Sequence, residues 1–191
     1  MEIWFSEFHT PDVKHSIRIN RHLYSEKSSY QQIDIFDTPE FGRVLTLDGN
    51  VVITERDEFI YDEMITHIPM AVHPNIQDVL IIGAGDGGVV RELARYDSIR
   101  RIDLVEMDPM VLEACRMYLP ENASRLDDSR VNIYFDNALR FIRRCKDEYD
   151  LIIVDSTDPY GPSEGYFTRE FYGICYNALH DDGILINQQG S

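Results

Sequence analysis

The chain has 191 residues, enough for one domain with an appendage, and its 43% hydrophobic and 27% charged residues describe an ordinary folded protein. Its 34 acidic and 18 basic residues leave a formal charge of −16, which argues against nucleic-acid partners and anionic membrane surfaces, because phosphate needs a basic face. No apolar run reaches the roughly 18 residues of a membrane span, Met1-Glu2-Ile3-Trp4 has no part of a secretory leader, and Cys115, Cys145 and Cys175 are scattered. A reducing cytoplasm fits this cysteine usage; disulfides and structural zinc do not.

Tyr30–Phe36 alternates apolar and polar residues, as a half-buried strand does. Val44–Leu47 and Val51–Thr54 flank Asp48-Gly49-Asn50, a hairpin signal. Residues 1–55 are therefore expected to form a small antiparallel β domain, and 56–191 a second, catalytic domain. A helix is expected over 57–71. Phe59, Ile60, Met64, Ile65 and Ile68 give it an apolar stripe, the face a helix turns to its core, and Pro69 should bend or end it.

From residue 79 the pattern changes. Short apolar runs at 79–82, 102–105, 131–135, 151–154 and 183–186 read as strands covered on both faces. Helical stretches lie between them at 89–96, 109–119, 138–146 and 168–179. Their strict alternation predicts an α/β fold, a Rossmann-like doubly wound sheet that is mostly parallel. Its ligand crevice belongs at the carboxyl ends of the strands. The sequence stops at Ser191, just after the fifth such strand, so the C-terminal end of the fold reads as missing.

Four loops at that crevice carry chemistry. Ile82-Gly83-Ala84-Gly85-Asp86-Gly87-Gly88-Val89 satisfies Gly-x-Gly-x-x-Gly, where glycines let the backbone approach a nucleotide-like ligand. Asp86 stands where a pyrophosphate would lie. A carboxylate repels phosphate and attracts a cation, which favours an adenosine sulfonium over a dinucleotide. Glu106, ending the second strand, can hold both ribose hydroxyls, as in NAD sites. Asp108 before Pro109 reads as a helix N-cap.

Asp136-Asn137-Ala138 ends the third strand. Its acid or amide can accept from an adenine amino group, or cap the next helix. Acids after the first three strands fit the adenosylmethionine-dependent, methyltransferase-like enzymes better than dehydrogenases. After the fourth strand comes Asp155-Ser156-Thr157-Asp158-Pro159-Tyr160-Gly161-Pro162, two carboxylates three residues apart in a long loop suited to a lid. Glu63 and His67 share a helix face and read as a surface pair, so no metal site is expected.

These residues resemble a known family. Gly85-Asp86-Gly87-Gly88, Asp155-Ser156-Thr157-Asp158-Pro159 and Gly161-Pro162 are similar to motifs of the spermidine synthases, the polyamine aminopropyltransferase family. So are Tyr30-Gln31, Leu47-Asp48-Gly49, Thr54-Glu55-Arg56-Asp57-Glu58-Phe59 and Tyr61-Asp62-Glu63-Met64, in the same order over essentially the whole chain. The resemblance implies transfer of an aminopropyl group from decarboxylated S-adenosylmethionine, a co-substrate, to putrescine or another diamine. The products with putrescine are spermidine and methylthioadenosine, and no tightly bound cofactor is implied. By the same resemblance Gln31, Glu106, Asp136, Asn137 and Pro162 contact the thioadenosine, and Asp86 holds the aminopropyl ammonium. Asp62, Asp155, Ser156 and Asp158 face the diamine, Trp4 walls its channel, and Asp155 is the general base with Tyr61 assisting. Family members are homodimers or homotetramers, with the N-terminal β unit contributing.

The residue types suit that reaction. An amine displaces a neutral thioether from a sulfonium, a leaving group that needs no metal. The attacking nitrogen must be neutral, whereas an alkylammonium titrates near lysine's value of about 10.4. Carboxylates raise that value and the sulfonium lowers it. Three positions depart from the family pattern. Ala84 stands where Gly is usual, tolerable if φ stays negative. Asn137 replaces Gly or Asp, and Asp62 replaces the His of bacterial members or the Gln of others, which leaves the acceptor open. Family members also continue beyond Ser191. Two rivals remain: a methyltransferase or NAD-binding enzyme, against which Asp86 and the acids at 155 and 158 speak, and a shortened, inactive chain that only binds a ligand or partner.

Overall fold

A computed structural model gives the architecture and describes residues 2–156 and 165–188. Six strands come first: β1 (Ile3–Thr10), β2 (Val13–Ile19), β3 (Arg21–Lys27), β4 (Gln32–Thr38), β5 (Gly42–Leu47) and β6 (Asn50–Thr54). β1 and β2 pair with each other, and β3-β4-β5-β6 form a second antiparallel sheet. The β5–β6 turn places Asp48 at φ 50° and Gly49 at φ 80°, the left-handed pair a tight hairpin needs. Strands β1 to β3 escape the sequence patterning because little of them is buried.

Helix α1 (Glu58–Val72) leads into the second layer system: β7 (Asp78–Gly83), α2 (Gly88–Leu93), β8 (Arg101–Glu106), α3 (Pro109–Tyr118), β9 (Val131–Phe135), α4 (Ala138–Ile142), β10 (Tyr149–Asp155), α5 (Arg169–Ala178) and β11 (Leu179–Asn187). The five strands run in the order β11-β10-β7-β8-β9, and every neighbouring pair is parallel. This is the doubly wound sheet expected. Alternate residues of its strands serve opposite faces. Val79, Ile81, Leu104 and Ile153 pack with α1 and α2, whereas Leu80, Ile82, Ile152 and Val154 pack with α4 and α5. A third cluster joins Ile33, Ile35 and Leu45 of the N-terminal sheet to Val111, Ala114, Cys115 and Leu119 around α3. No helix among the described residues is long and apolar enough to cross a membrane.

Several expectations need correction. Of the α1 stripe only Ile65 is buried; Phe59, Ile60, Met64 and Ile68 are 46–56% exposed. The buried face carries Asp62, Thr66 and Pro69 beside Ile65, because this helix packs on the glycine-loop side where polar groups are wanted. Pro69 does not end the helix, which runs to Val72 and closes with His73 N–H donating to the Pro69 carbonyl at 3.0 Å. α2 stops at Leu93 rather than near 96, because Arg130 donates to the carbonyls of Ala94, Tyr96 and Ile99 and turns the chain there. α4 also ends early, and Asp147 takes a left-handed φ of 48° after it. Cys115 and Cys175 are buried as expected, but Cys145, beyond the end of α4, is only partly so.

Candidate active site

The glycine loop and the end of β10 are joined before any side chain is considered. Ala84 N–H donates to the Asp155 carbonyl at 3.1 Å. Gly83 has φ 84°, and a Cβ there would overlap that same carbonyl oxygen. Only glycine therefore lets the two loops close. Ala84 itself adopts φ 56°, so the negative φ on which easy tolerance of alanine depends is not met. The bond to Asp155 fixes a left-handed conformation that costs an alanine about 1–2 kcal/mol.

Asp155 meets Tyr61 here. The Tyr61 hydroxyl donates to Asp155 Oδ1 at 2.6 Å, across 94 residues of sequence. Burial, and then the charge of Asp86, push the Asp155 carboxyl up to about 7, while the Tyr61 hydrogen bond opposes the rise. A carboxyl poised there can take a proton near neutrality. Burial and the Asp155 charge push the Tyr61 phenol well up, so it stays a donor.

Asp86 is buried at 6% exposure, its Oδ2 accepting from Gly88 N–H at 3.0 Å and from Asn122 Nδ2 at 3.5 Å. Burial raises it too. Asp62 is 2% exposed, and its Oδ2 lacks a hydrogen-bond partner within the described residues. Burial, a hydrogen bond with Glu58 and the charge of Asp86 lift it to about 10. Burial thus favours its protonated form, whereas a carboxylate is the simplest reading of its letter. Gly88 is required beside it, because a Cβ there would overlap Asp62 Oδ2.

Glu106 ends β8. Its Oε1 accepts from Asp108 N–H at 2.9 Å, and burial lifts it to about 7 against the pull of the Asp108 and Met107 amides. Asp108 caps α3 as expected, accepting from Met110 N–H at 3.1 Å. Its other oxygen accepts from Ser28 Oγ at 2.6 Å and Gln31 Nε2 at 3.1 Å. Gln31, in the loop between β3 and β4, is thereby tied to the residue two positions beyond β8.

A cleft of about 480 Å³ is lined by Tyr30, Met107, Phe135, Asp136, Asn137 and Arg140. The sequence alternatives at 136–137 separate here: Asn137 caps α4, accepting from Arg140 N–H at 3.1 Å. Asp136 instead binds Arg140 and, at 2.9 Å, Arg144, and the Arg140 hydrogen bond holds its carboxyl below the usual range. The apolar lining Tyr30, Met107 and Phe135 was not foreseen; adjacency to Gln31, Glu106 and Asp136 is the signal that could have found it.

Ser156 follows Asp155 and is buried. Trp4 lies on β1 with 54% of its surface exposed. Asp158 and Pro162 lie outside the described residues. Glu63, His67 and Glu92 bring potential metal-ligand atoms within 4.8 Å of one another, but the Glu92 carboxylate already holds Arg91 and Arg95.

A doubly wound sheet with acids at the ends of β8 and β10, an acid in its glycine loop and a tyrosine on a half-buried aspartate defines a Rossmann-like, adenosylmethionine-type transferase fold. The spermine/spermidine synthase domain matches residues 58–191, and the spermidine synthase tetramerisation domain residues 3–55. The chain belongs to the spermine/spermidine synthase family. It is 61% identical over its whole length to a polyamine aminopropyltransferase of Lachnoclostridium phytofermentans, and 59% identical to one of Clostridium botulinum. It covers 68% and 67% of those proteins. A spermidine synthase in complex with the transition state analogue AdoDATO superposes with a TM-score of 0.93 at 45% identity. A spermidine synthase from Thermotoga maritima does so with 0.91, also at 45%. The chain spans 63% and 62% of those two structures.

Proposed function

We propose that the protein transfers the aminopropyl group of decarboxylated S-adenosylmethionine to putrescine or a related diamine. The observation that carries this reading is Tyr61 hydrogen-bonded to a half-buried Asp155 beside Asp86. An amine nitrogen attacks the methylene carbon next to the sulfonium. The C–N bond forms, the C–S bond breaks, and its electron pair leaves on sulfur as neutral methylthioadenosine. The proton lost by nitrogen passes to Asp155. Asp86 holds the aminopropyl ammonium, and Gln31, Glu106, Asp136 and Asn137 bind the thioadenosine, with Pro162 assigned by resemblance. Asp62, Ser156 and Asp158 face the diamine, and Trp4 walls its channel.

Asp62 enters this reading as a neutral acid. Its proton makes it comparable with the uncharged side chains the family carries there, so putrescine remains the leading acceptor. The tetramerisation-domain match supports a homo-oligomer, dimer or tetramer, assembled through residues 3–55.

The test is a product assay with putrescine, cadaverine and agmatine, alongside thermal shifts with methylthioadenosine, S-adenosylmethionine and NAD. Methylthioadenosine should stabilise the protein most and putrescine should give spermidine. Stabilisation by NAD alone would overturn the proposal.

A further inference from the structure

The first turn of α1 carries the tyrosine that reaches Asp155, yet its N-terminus is weakly held. Asp57 at the N-cap makes no side-chain cap hydrogen bond. An uncapped first turn frays readily. What holds it is on the neighbouring helix. Arg91 of α2 donates from Nη1 to Glu58 Oε1 at 3.0 Å and from Nη2 to Glu58 Oε2 at 2.9 Å, a two-pronged clamp. The same guanidinium donates from Nε to Glu92 Oε1 at 2.9 Å, and its Nη2 lies 3.7 Å from Asp62 Oδ2. The Glu58, Glu92 and Arg91 side chains are only 9%, 5% and 18% exposed, so the clamp is shielded from screening.

Glu58 and Tyr61 are three residues apart and share a face of α1. α2 begins at Gly88, directly after Asp86 and Gly87. Arg91 thus ties the helix bearing Tyr61 to the loop bearing Asp86. We propose that Arg91 is a positioning residue: through Glu58 it fixes the first turn of α1 so that the Tyr61 hydroxyl stays on Asp155. The fork geometry is what lysine cannot reproduce, since an ammonium is a single point of charge.

This inference takes Asp155 as the group whose protonation matters, and to that extent rests on the proposed function. Its test needs no substrate. Carbon-13 NMR of aspartate carboxyls follows the titration of Asp155, assigned through Asp155→Asn. The titratable groups facing Asp155 are Asp86 from the glycine loop and Tyr61 and Asp62 from α1; those facing Arg91 are Glu58, Asp62, Glu92 and, through Glu92, Arg95.

If Arg91 acts through Tyr61, Arg91→Met removes a hydrogen bond that favours the ionised carboxyl, and the Asp155 midpoint rises by about one pH unit. The same substitution in a Tyr61→Phe background should then produce no further rise. Arg91→Lys should give a partial rise, and Glu58→Gln should match Arg91→Met without adding to it. These two milder variants carry the test if Arg91→Met fails to fold. An equal rise with and without the Tyr61 hydroxyl would mean Arg91 acts by its charge alone and would overturn the proposal. So would no rise in either background. Failure of methylthioadenosine to bind would overturn the proposed function instead, and leaves this titration readable.

Discussion

At the residue scale, burial raises four carboxyl groups of the candidate site, Asp62, Asp86, Glu106 and Asp155, whereas the Arg140 hydrogen bond holds Asp136 low. In the proposed reaction Asp155 is the one whose proton matters most. Asparagine keeps its shape and hydrogen bonds but cannot take a proton. Asp155→Asn should lower kcat by roughly 10²–10⁴, the usual worth of a positioned general base, and leave methylthioadenosine affinity within a few-fold. Because the proposed base works ionised and burial lifts it to about 7, kcat/KM should fall as pH drops below that value. Near wild-type turnover by the Asn variant would remove Asp155 from the role. Asp62 supplies a stability test. Its carboxyl is raised from 3.8 to about 10 by burial first. A raised folded-state value means the fold favours the proton, so its penalty is absent below pH 4 and grows as pH rises toward 10. Asp62→Asn should therefore raise Tm little at pH 4 and progressively more at pH 7 and 9. A gain that is flat with pH would mean burial does not raise Asp62, and a loss of Tm above pH 4 would make it an ordinary ion pair with Arg91.

At the element scale, α1 is the informative case. Its exposed face carries Phe59, Ile60, Met64, Ile68 and Val72, 46–69% exposed, while Asp62 and Thr66 point inward. A helix apolar on its outer side leaves a continuous patch open to association. The 191-residue chain should bind the hydrophobic dye ANS through this patch. Met64→Lys combined with Ile68→Lys should reduce that fluorescence and shift stability by no more than about 0.5 kcal/mol per site, as exposed positions do. A large loss of Tm would show that the face is packed after all. The same helix shows what sequence could and could not reveal. Spacing alone found α1, but it took the apolar stripe for the buried one, because periodicity reports that two faces differ and not which one meets the sheet. The strands β7, β8 and β10 were legible because both their faces are buried and their apolar runs are unbroken. β1 and β2 were not, because exposed hairpins need no alternation. In the site, Asp155, Asp86 and Glu106 were legible from where they end or follow strands. The Arg91–Glu58 clamp was hidden, since nothing in sequence brings residues 58 and 91 together.

At the scale of the whole molecule, two sheets meet across α3. Ile33, Ile35 and Leu45 share a buried cluster with Val111, Ala114, Cys115 and Leu119, and Asp108 adds hydrogen bonds to Ser28 and Gln31 at the edge of that contact. The covalent connection between Thr54 and Glu58 is thus a small part of what joins them. A protein cut within residues 55–57 should remain one particle: the fragments should co-elute under native conditions, separate only in denaturant, and reassociate when mixed. Their affinity for each other should rise when methylthioadenosine is present, because a ligand touching both Gln31 and Glu106 bridges the cut. In that sense the carboxylate of Asp108 makes the N-terminal sheet a detachable half of the proposed binding pocket, and its docking a step that ligand and fragment concentration can each drive.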